Sequence, residues 1–351
     1  MVKVLMKGNE AVAEAAIQAG CRYFFGYPIT PQSEVPEYFS RELPKRNGVF
    51  LQAESEVASI NMLYGASGAG ARVMTSSSSP GISLMQEGIS YMAGADLPCV
   101  IVNMMRGGPG LGSIQPSQTD YFQSTRGGGN GDYRTLAYAP NSVQELVDLT
   151  ILAFDKADEY RMPVFVVGDG MIGQMMEPVE FPEVHMNPEG LPEKTWAVGA
   201  KNKKQRNIIS SFFMDAEGLE KDNHRRMKVY QQIIDQEIQV ETLDLEDADI
   251  VLTAYGTVSR ICLSAKDLLE KEGIKVGLIR PITLWPYPYE AFKDLTCKDV
   301  LVVEMNQGQM IDDVKIAVEG RQEVHFYGRQ GGMIMDTEEV VDQVKKIMGR
   351  L

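Results

Sequence analysis

The sequence predicts an α/β protein, a doubly wound parallel sheet followed by a second, smaller α/β domain. Three observations lead there. Over the first 175 residues, segments of helical periodicity alternate with short β-rich runs. Those runs, such as "PCVIVNMM" and "MPVFVVGD", are apolar almost throughout instead of at every second position, as strands covered on both faces must be. The same alternation resumes after a charged stretch at about residues 177–247.

The elements follow in order. "GNEAVAEAAIQAG" is helical and closes on Gly20, the residue that most easily takes a left-handed helix end. "RYFFGY" is a buried strand. "QSEVPEYFSREL" is a helix that carries Pro36 in its first turn, where proline is tolerated. "GVFLQAE" is a strand, "SEVASINMLYGASGAG" a helix of small residues, "ARVMTSS" a strand and "GISLMQEGISYMAGA" a helix. The strand "PCVIVNMM", a glycine-rich stretch, the helix "SVQELVDLTILAFDKADEY" and the strand "MPVFVVGD" complete the first domain, residues 1–180. Residues 181–245 read as a linker with a long amphipathic helix, solvated on one side. Residues 246–351 hold the second series, from "DIVLTAYG" to "EEVVDQVKKIMG".

Bulk composition narrows the function. A chain of 351 residues favours two domains, and its 44% hydrophobic and 23% charged content is that of an ordinary globular protein. A net charge of −14 argues against a nucleic-acid backbone or an anionic membrane as the main partner. No apolar run approaches the ~18 residues of a membrane span, and "MVKVLMKGNEAVAEAA" has no signal-peptide core, which reads as cytoplasmic. Cys21, Cys99, Cys262 and Cys297 form no CxxC pair, so they read as isolated reduced thiols and not as ligands of zinc or an iron–sulfur cluster. His185, His224 and His325 are scattered and support neither a catalytic triad nor a histidine metal site.

Ligands of open parallel sheets bind beyond the carboxyl ends of the strands. Four unusual segments fall at such ends: Gly26–Pro31, Glu54–Glu56, Ser76–Gly81 and Arg106–Gly112. Glu56 opens a helix and reads either as a dipole-stabilising cap or as a site carboxylate, with Glu54 as the competing candidate. "TSSSSPG" offers hydroxyls and helix N–H groups to an anion or a polar ring edge, or simply caps a helix. Arg106, beside "GGPGLG", suits a carboxylate through two parallel hydrogen bonds, and a backbone-bracing role is the alternative. "GPGLG" lacks the spacing and the following helix of a dinucleotide fingerprint, which disfavours a Rossmann dehydrogenase. In "GYPITP", Pro28 and Pro31 stiffen a turn that leaves the Thr30 hydroxyl at its end.

Together, "KGNEAVAEAAIQAGCRYFFGYPITPQSEVPEY", the run from "QAESEVASINM" to "MMRGGPGLG", and "QPSQTDYFQ" resemble the α subunit of 2-oxoacid:ferredoxin oxidoreductases, the branched-chain (2-oxoisovalerate) type in particular. The resemblance is dense over residues 7–180 and looser over 245–345, where "RPITLWPYP" and "GRQGG" carry it. It implies a thiamine diphosphate enzyme split over several chains. The first domain would be the pyrimidine-binding module and the second a transketolase C-terminal-like module. Glu56 would bond N1′ of the aminopyrimidine; Gly65, nine residues on, matches the family spacing and favours Glu56 over Glu54. Thr30 would bond the substrate's carboxylate or keto oxygen, and Arg106 its carboxylate. Tyr27, Pro28, Ile29, Ser78, Ser79 and Pro80 would line the cofactor.

The resemblance also implies what lies elsewhere. "GDG" at 168–170 is not followed by the asparagine that a diphosphate–Mg²⁺ motif needs about 25 residues on ("TWAV" stands at 195–198), so it reads as a strand terminus. The diphosphate and Mg²⁺ would be held by a β subunit, and 4Fe–4S clusters by partner chains, among them γ and ferredoxin-like δ subunits. The expected reaction is a branched 2-oxoacid plus CoA and oxidised ferredoxin to acyl-CoA, carbon dioxide and reduced ferredoxin. Alternatives are the same reaction on 2-oxoglutarate or pyruvate, or a structural subunit without catalytic groups.

Overall fold

The computed structural model describes residues 3–182, 191, 193–198 and 206–350. His185 and most of the basic run "KNKKQRN" lie outside these residues. The chain begins with β1 (Val4–Lys7) and α1 (Gly8–Gln18), whose end turns on Gly20 at φ 86°, where a side chain would be strained. There follow β2 (Tyr23–Gly26), α2 (Glu34–Glu42), β3 (Val49–Gln52), α3 (Glu56–Gly68), β4 (Val73–Ser77), α4 (Ser79–Gly94) and β5 (Cys99–Met105). A long loop with the short α5 (Tyr121–Thr125) leads to β6 (Leu136–Tyr138), α6 (Val143–Tyr160), β7 (Pro163–Asp169), α7 (Gly170–Gln174) and β8 (Met176–Val179).

The seven strands of the first sheet run in the order β12 (Thr283–Trp285)–β6–β7–β5–β4–β2–β3, and the six from the first half are parallel. The chain enters at β2, passes outward to β3, then returns to the other side of β2 for β4. Direction therefore reverses between β2 and β4, which opens a crevice at their carboxyl ends. β4, β5 and β7 are buried along their whole length, as apolar runs require. β3 departs from that pattern: it is the edge strand, and Val49 and Leu51 remain exposed.

α8 (Ala216–Gln236) packs Tyr230 and Ile233 inward, the one-sided burial expected of an amphipathic helix. The second sheet is built from β9 (Val240–Leu243), β10 (Ile250–Thr253), β11 (Val276–Pro281), β13 (Asp299–Glu304) and β14 (Glu323–Gly328), in the order β14–β13–β10–β11–β9. α9 (Gly256–Lys271), α10 (Met310–Val318) and α11 (Thr337–Ile347) cover it. Two strands cross the expected segmentation. β9, inside the span read as linker, pairs antiparallel with β11. β12 (Thr283–Trp285), from the second half, pairs antiparallel with β6 and closes the first sheet.

The second sheet has its own switch point, between β10 and β13, and a first-domain side chain plugs it. Gln118 donates to the Tyr255 carbonyl (2.9 Å) and accepts from the Met305 N–H (3.0 Å). Asn306 donates to the Gln118 carbonyl at 2.8 Å. Asp313 of α10 is fully buried and accepts from Tyr121 (2.6 Å), Tyr289 (2.6 Å) and Arg126 (2.8 Å). One apolar cluster runs through both sheets, from Met105 and Tyr121 to Tyr255, Ile279 and Tyr287.

Phe24 of β2 is fully buried, its ring 4.3 Å from that of Phe39 and 5.8 Å from that of Phe50. Phe24→Ala should cost about 3–5 kcal/mol of stability, read as a lower midpoint of chemical denaturation. A midpoint unchanged from wild type would show that this stack is not part of the structural core.

Candidate active site

Four strand ends converge on the crevice. After β2, the chain makes the "GYPITP" turn, with the Gln32 N–H on the Ile29 carbonyl at 3.1 Å and a cis Thr30–Pro31 peptide bond. Three side chains distant in sequence hold this turn. Asn9 donates to the Pro31 carbonyl at 2.8 Å. Gln32 accepts from Ser76 at 2.5 Å. Arg106 donates to the Thr30 carbonyl at 3.0 Å. The backbone is thus pinned while Tyr27, Pro28 and Thr30 stay exposed and Ile29 is half-buried. Among the described residues, the Thr30 hydroxyl has no hydrogen-bond partner.

After β3, Ser55 caps α3 by accepting from the Ala58 N–H at 3.2 Å, and Glu56 becomes the first helical residue. Its burial separates the two competing glutamates: Glu56 is 5% exposed, whereas Glu54 faces solvent. The capping job falls to Ser55, so Glu56 is not needed for it. The Glu56 carboxylate lies against the start of α4. A Cβ on Gly81 would sit 2.5 Å from Glu56 Oε1 and 2.0 Å from Ser77 Oγ, so only glycine fits between them.

At the end of β4, Ser77 and Ser78 are buried and, among the described residues, neither Oγ has a hydrogen-bond partner, and Pro80 is half-buried in the first turn of α4. Ser79 has different partners from those expected of a cofactor ligand. Its hydroxyl is 2.5 Å from Asp120 Oδ2, its Oγ accepts from the Arg106 N–H at 3.0 Å, and its own N–H reaches Asn103 Oδ1 at 3.2 Å. Both of its protons are engaged within the chain, which makes Ser79 a brace and leaves Ser77 and Ser78 as the hydroxyls with hydrogen bonds to give.

After β5, Arg106 is 5% exposed. It donates to the Thr30 and Leu111 carbonyls at 3.0 Å each, and its Nε is buried without a partner. Among the described residues, no carboxylate pairs with it. A buried guanidinium braced only by carbonyls is an unneutralised charge, and an arriving carboxylate relieves that cost. The bracing role and the anion-binding role weighed for this residue are therefore compatible: two nitrogens hold the loops and the remaining donor capacity is left over.

The GDG segment ends β7 and starts α7, as expected. Asp169 accepts from the Met171 N–H (2.8 Å), the Ile172 N–H (3.1 Å) and the Thr257 hydroxyl, which ties it to the second domain. Burial pushes its carboxyl above the usual range. All four cysteines are buried and free, and burial raises the thiol of Cys21 to about 12.

Beside the crevice, a cavity of about 870 Å³ lies between the domains, lined by Ser79, Thr119 and Asp120 on one side and by Asn306, Gln309 and Gln330 on the other. The apolar side chains of Leu84, Leu111 and Ile114 stand exposed on this face. Asn9, Gln32, Asn103 and Asp120, which hold the site together, escaped the sequence reading. Asn103 alone carried a signal, an amide inside the apolar run "VIVNMM".

The arrangement fits the aminopyrimidine end of thiamine diphosphate: a buried carboxylate, a glycine-floored wall, and buried hydroxyls without partners. Comparison with known proteins agrees. Residues 14–240 match the pyruvate flavodoxin/ferredoxin oxidoreductase thiamine diphosphate-binding family, and residues 248–340 match pyruvate:ferredoxin oxidoreductase core domain II. The ketoisovalerate oxidoreductase subunit VorB of Methanothermobacter marburgensis is 47% identical over 99% of both chains. The 2-oxoglutarate synthase subunit KorA of Methanocaldococcus jannaschii is 39% identical over 95% of this chain and 97% of its own. A solved 2-oxoglutarate:ferredoxin oxidoreductase from Magnetococcus marinus superposes at a TM-score of 0.87 with 29% identity over 98% of this chain, which spans 65% of that chain. A split-gene transketolase shares the fold, at a TM-score of 0.60 and 16% identity. With the family matched across both domains and its relatives at this identity over nearly their whole length, the chain belongs to the 2-oxoacid:ferredoxin oxidoreductases, as a subunit of that thiamine diphosphate-dependent family.

Proposed function

We propose that this chain is the α-type subunit of a branched-chain 2-oxoacid:ferredoxin oxidoreductase, supplying the pyrimidine-binding half of the active site. One observation carries the reading: buried Glu56 lies against Gly81 in the same crevice that holds Arg106, a buried cation that pairs with no carboxylate among the described residues, on the carbonyl of Thr30. The branched-chain preference is supported by the 47% identity to VorB against 39% to KorA.

Bound thiamine diphosphate supplies the nucleophilic carbon and accepts the electron pair released with carbon dioxide. The chain's own residues do the rest. Glu56, dry and fixed at the start of α3, shares a proton at N1′ of the pyrimidine. Arg106 pairs with the substrate carboxylate and orients it. Thr30, on a turn fixed by Asn9, Gln32 and Arg106, donates its hydroxyl to the carboxylate or keto oxygen. Ser77 and Ser78 offer their hydroxyls to the ring edge, and Tyr27, Pro28, Ile29 and Pro80 form the walls.

The rest of the reaction is assigned to partner chains. A β subunit holds the diphosphate and Mg²⁺, because Asp169 of the GDG segment is engaged by two N–H groups and Thr257. The 4Fe–4S clusters lie on partners, including a ferredoxin-like δ subunit, with a γ subunit, ferredoxin and CoA completing the cycle. Exposed Leu84, Leu111 and Ile114 beside the crevice fit a face that another chain covers. Among the described residues no helix is long and apolar enough to cross a membrane, and a cytoplasmic location fits such an enzyme.

The test is the assembled enzyme with CoA and a ferredoxin-like acceptor, offered 2-oxoisovalerate, 2-oxoglutarate and pyruvate. The highest kcat/KM is expected for 2-oxoisovalerate; a preference for 2-oxoglutarate would transfer the assignment to the other branch of the family. Thr30→Val, which keeps the shape and removes the hydroxyl, should lower kcat/KM about 10-fold, the worth of one well-placed hydrogen bond. A valine variant at wild-type efficiency would remove Thr30 from the site.

A further inference from the structure

Asp120 has no part in the roles assigned so far, yet it is a buried carboxyl group held by side chains from two of the strand ends that form the site. It lies 41 positions from Ser79 and 17 from Asn103, and both donate to its Oδ2, at 2.5 and 2.9 Å. It is 8% exposed and lines the cavity between the domains. Through Ser79 it reaches both halves of the crevice. On one side, Ser79 Oγ accepts from the Arg106 N–H, so it sets the backbone from which the guanidinium extends to the Thr30 carbonyl. On the other, Ser79 is the first residue of α4, two before Gly81, the wall against which Glu56 lies. Asn103 closes the loop by accepting from the Ser79 N–H and donating to Asp120.

We propose that Asp120 is a positioning residue for the decarboxylation, acting through Ser79 to set the spacing between Glu56 and Arg106. The inference rests on the function proposed above. Without an acceptor at position 120, the Ser79 hydroxyl turns to its remaining acceptor, the Arg106 carbonyl at 3.3 Å. The first turn of α4 then loses its tether, and Gly81 drifts relative to the Glu56 carboxylate. What Asp120 contributes is an acceptor oxygen in a fixed place. Burial raises its carboxyl above the ordinary range, and what its two donors meet at Oδ2 is an acceptor oxygen, which a carboxamide also presents. The amide of Asp120→Asn can therefore keep both bonds, whereas Asp120→Ala loses them.

The experiment uses the assembled enzyme with D120A, D120N, S79A and the D120A/S79A pair. It reads kcat and KM for the 2-oxoacid, thiamine diphosphate affinity by fluorescence quenching, and the near-ultraviolet circular dichroism of the bound cofactor. D120A should lower kcat at least 10-fold and alter the dichroism while the subunits still assemble; its unfolding midpoint should fall modestly, because buried donors lose their acceptor, and D120N should restore it. D120N should also restore most of the lost kcat, and D120A/S79A should be no worse than S79A alone. Should D120A fail to assemble, S79A against S79T carries the same comparison, since threonine keeps the hydroxyl. The proposal is overturned if D120A retains wild-type kcat and dichroism, if D120N is as impaired as D120A, if the two losses multiply, or, in the fallback pair, if S79A matches S79T. Wild-type turnover of 2-oxoacids is measured in the same series, so failure of the functional reading, seen as no turnover at all, is distinct from failure of the Asp120 role.

Discussion

Glu56→Gln should lower turnover about 10²–10⁴-fold, the usual range for removing a positioned acid–base group. Glutamine keeps the volume that fits against Gly81 and Ser77, where an added Cβ already has no room. Folding, subunit assembly and the KM for the 2-oxoacid should therefore change little. The loss should appear in kcat and in the rate of deuterium exchange at the cofactor's reactive carbon, measured without substrate. Because Ser55 and not Glu56 caps α3, the unfolding midpoint is expected to stay within the range of ordinary surface variants. A variant with native turnover would reduce this chain to the structural-subunit alternative. Glu54→Gln is the matched control: an exposed side chain one position before the cap should have no effect on kcat.

Arg106→Met should lower kcat/KM about 10²–10⁴-fold, because two charge-assisted bonds to a carboxylate are each worth about 1.5–3 kcal/mol. Part of that loss reaches the substrate indirectly, since Arg106 also braces the Thr30 and Leu111 carbonyls. Arg106→Lys should not rescue it: an ammonium is a point charge without the fork that spans two loop carbonyls and a ligand at once. The readout that separates carboxylate recognition from bracing is inhibition by a substrate amide. The wild type should discriminate strongly between acid and amide, and Arg106→Met should treat them nearly alike. Strong discrimination retained in the methionine variant would mean that another group reads the carboxylate.

Much of this molecule was legible residue by residue. Periodicity located the longer helices and strands of both sheets, because each depends on which positions within a few residues are apolar. The stiff turn at Gly26–Pro31, the Ser76–Gly81 stretch and Arg106 stood out as chemistry at strand ends, and they meet in one crevice. The short strands β1, β6, β8, β9 and β12 were not read. Each has three or four residues, too few to show a period, and each is held as a strand by a distant partner, as β12 is by β6. The charged span read as linker hid β9, whose sequence "VETL" alternates only once.

The amino-acid order by itself determined the α/β class, the two-part organisation, the isolation of the cysteines and the candidates at the strand ends, since those are properties of neighbouring residues and of composition. Tertiary structure alone decided strand order, and with it that β2 and β4 flank the switch point. It also decided that Glu56 is buried while Glu54 is not, and that Ser79 braces Arg106 with Asp120 behind it. These facts join residues that are 27 to 41 positions apart. No local preference encodes such distances; they are set when packed layers bring strand ends together and buried polar groups must find partners across the gap.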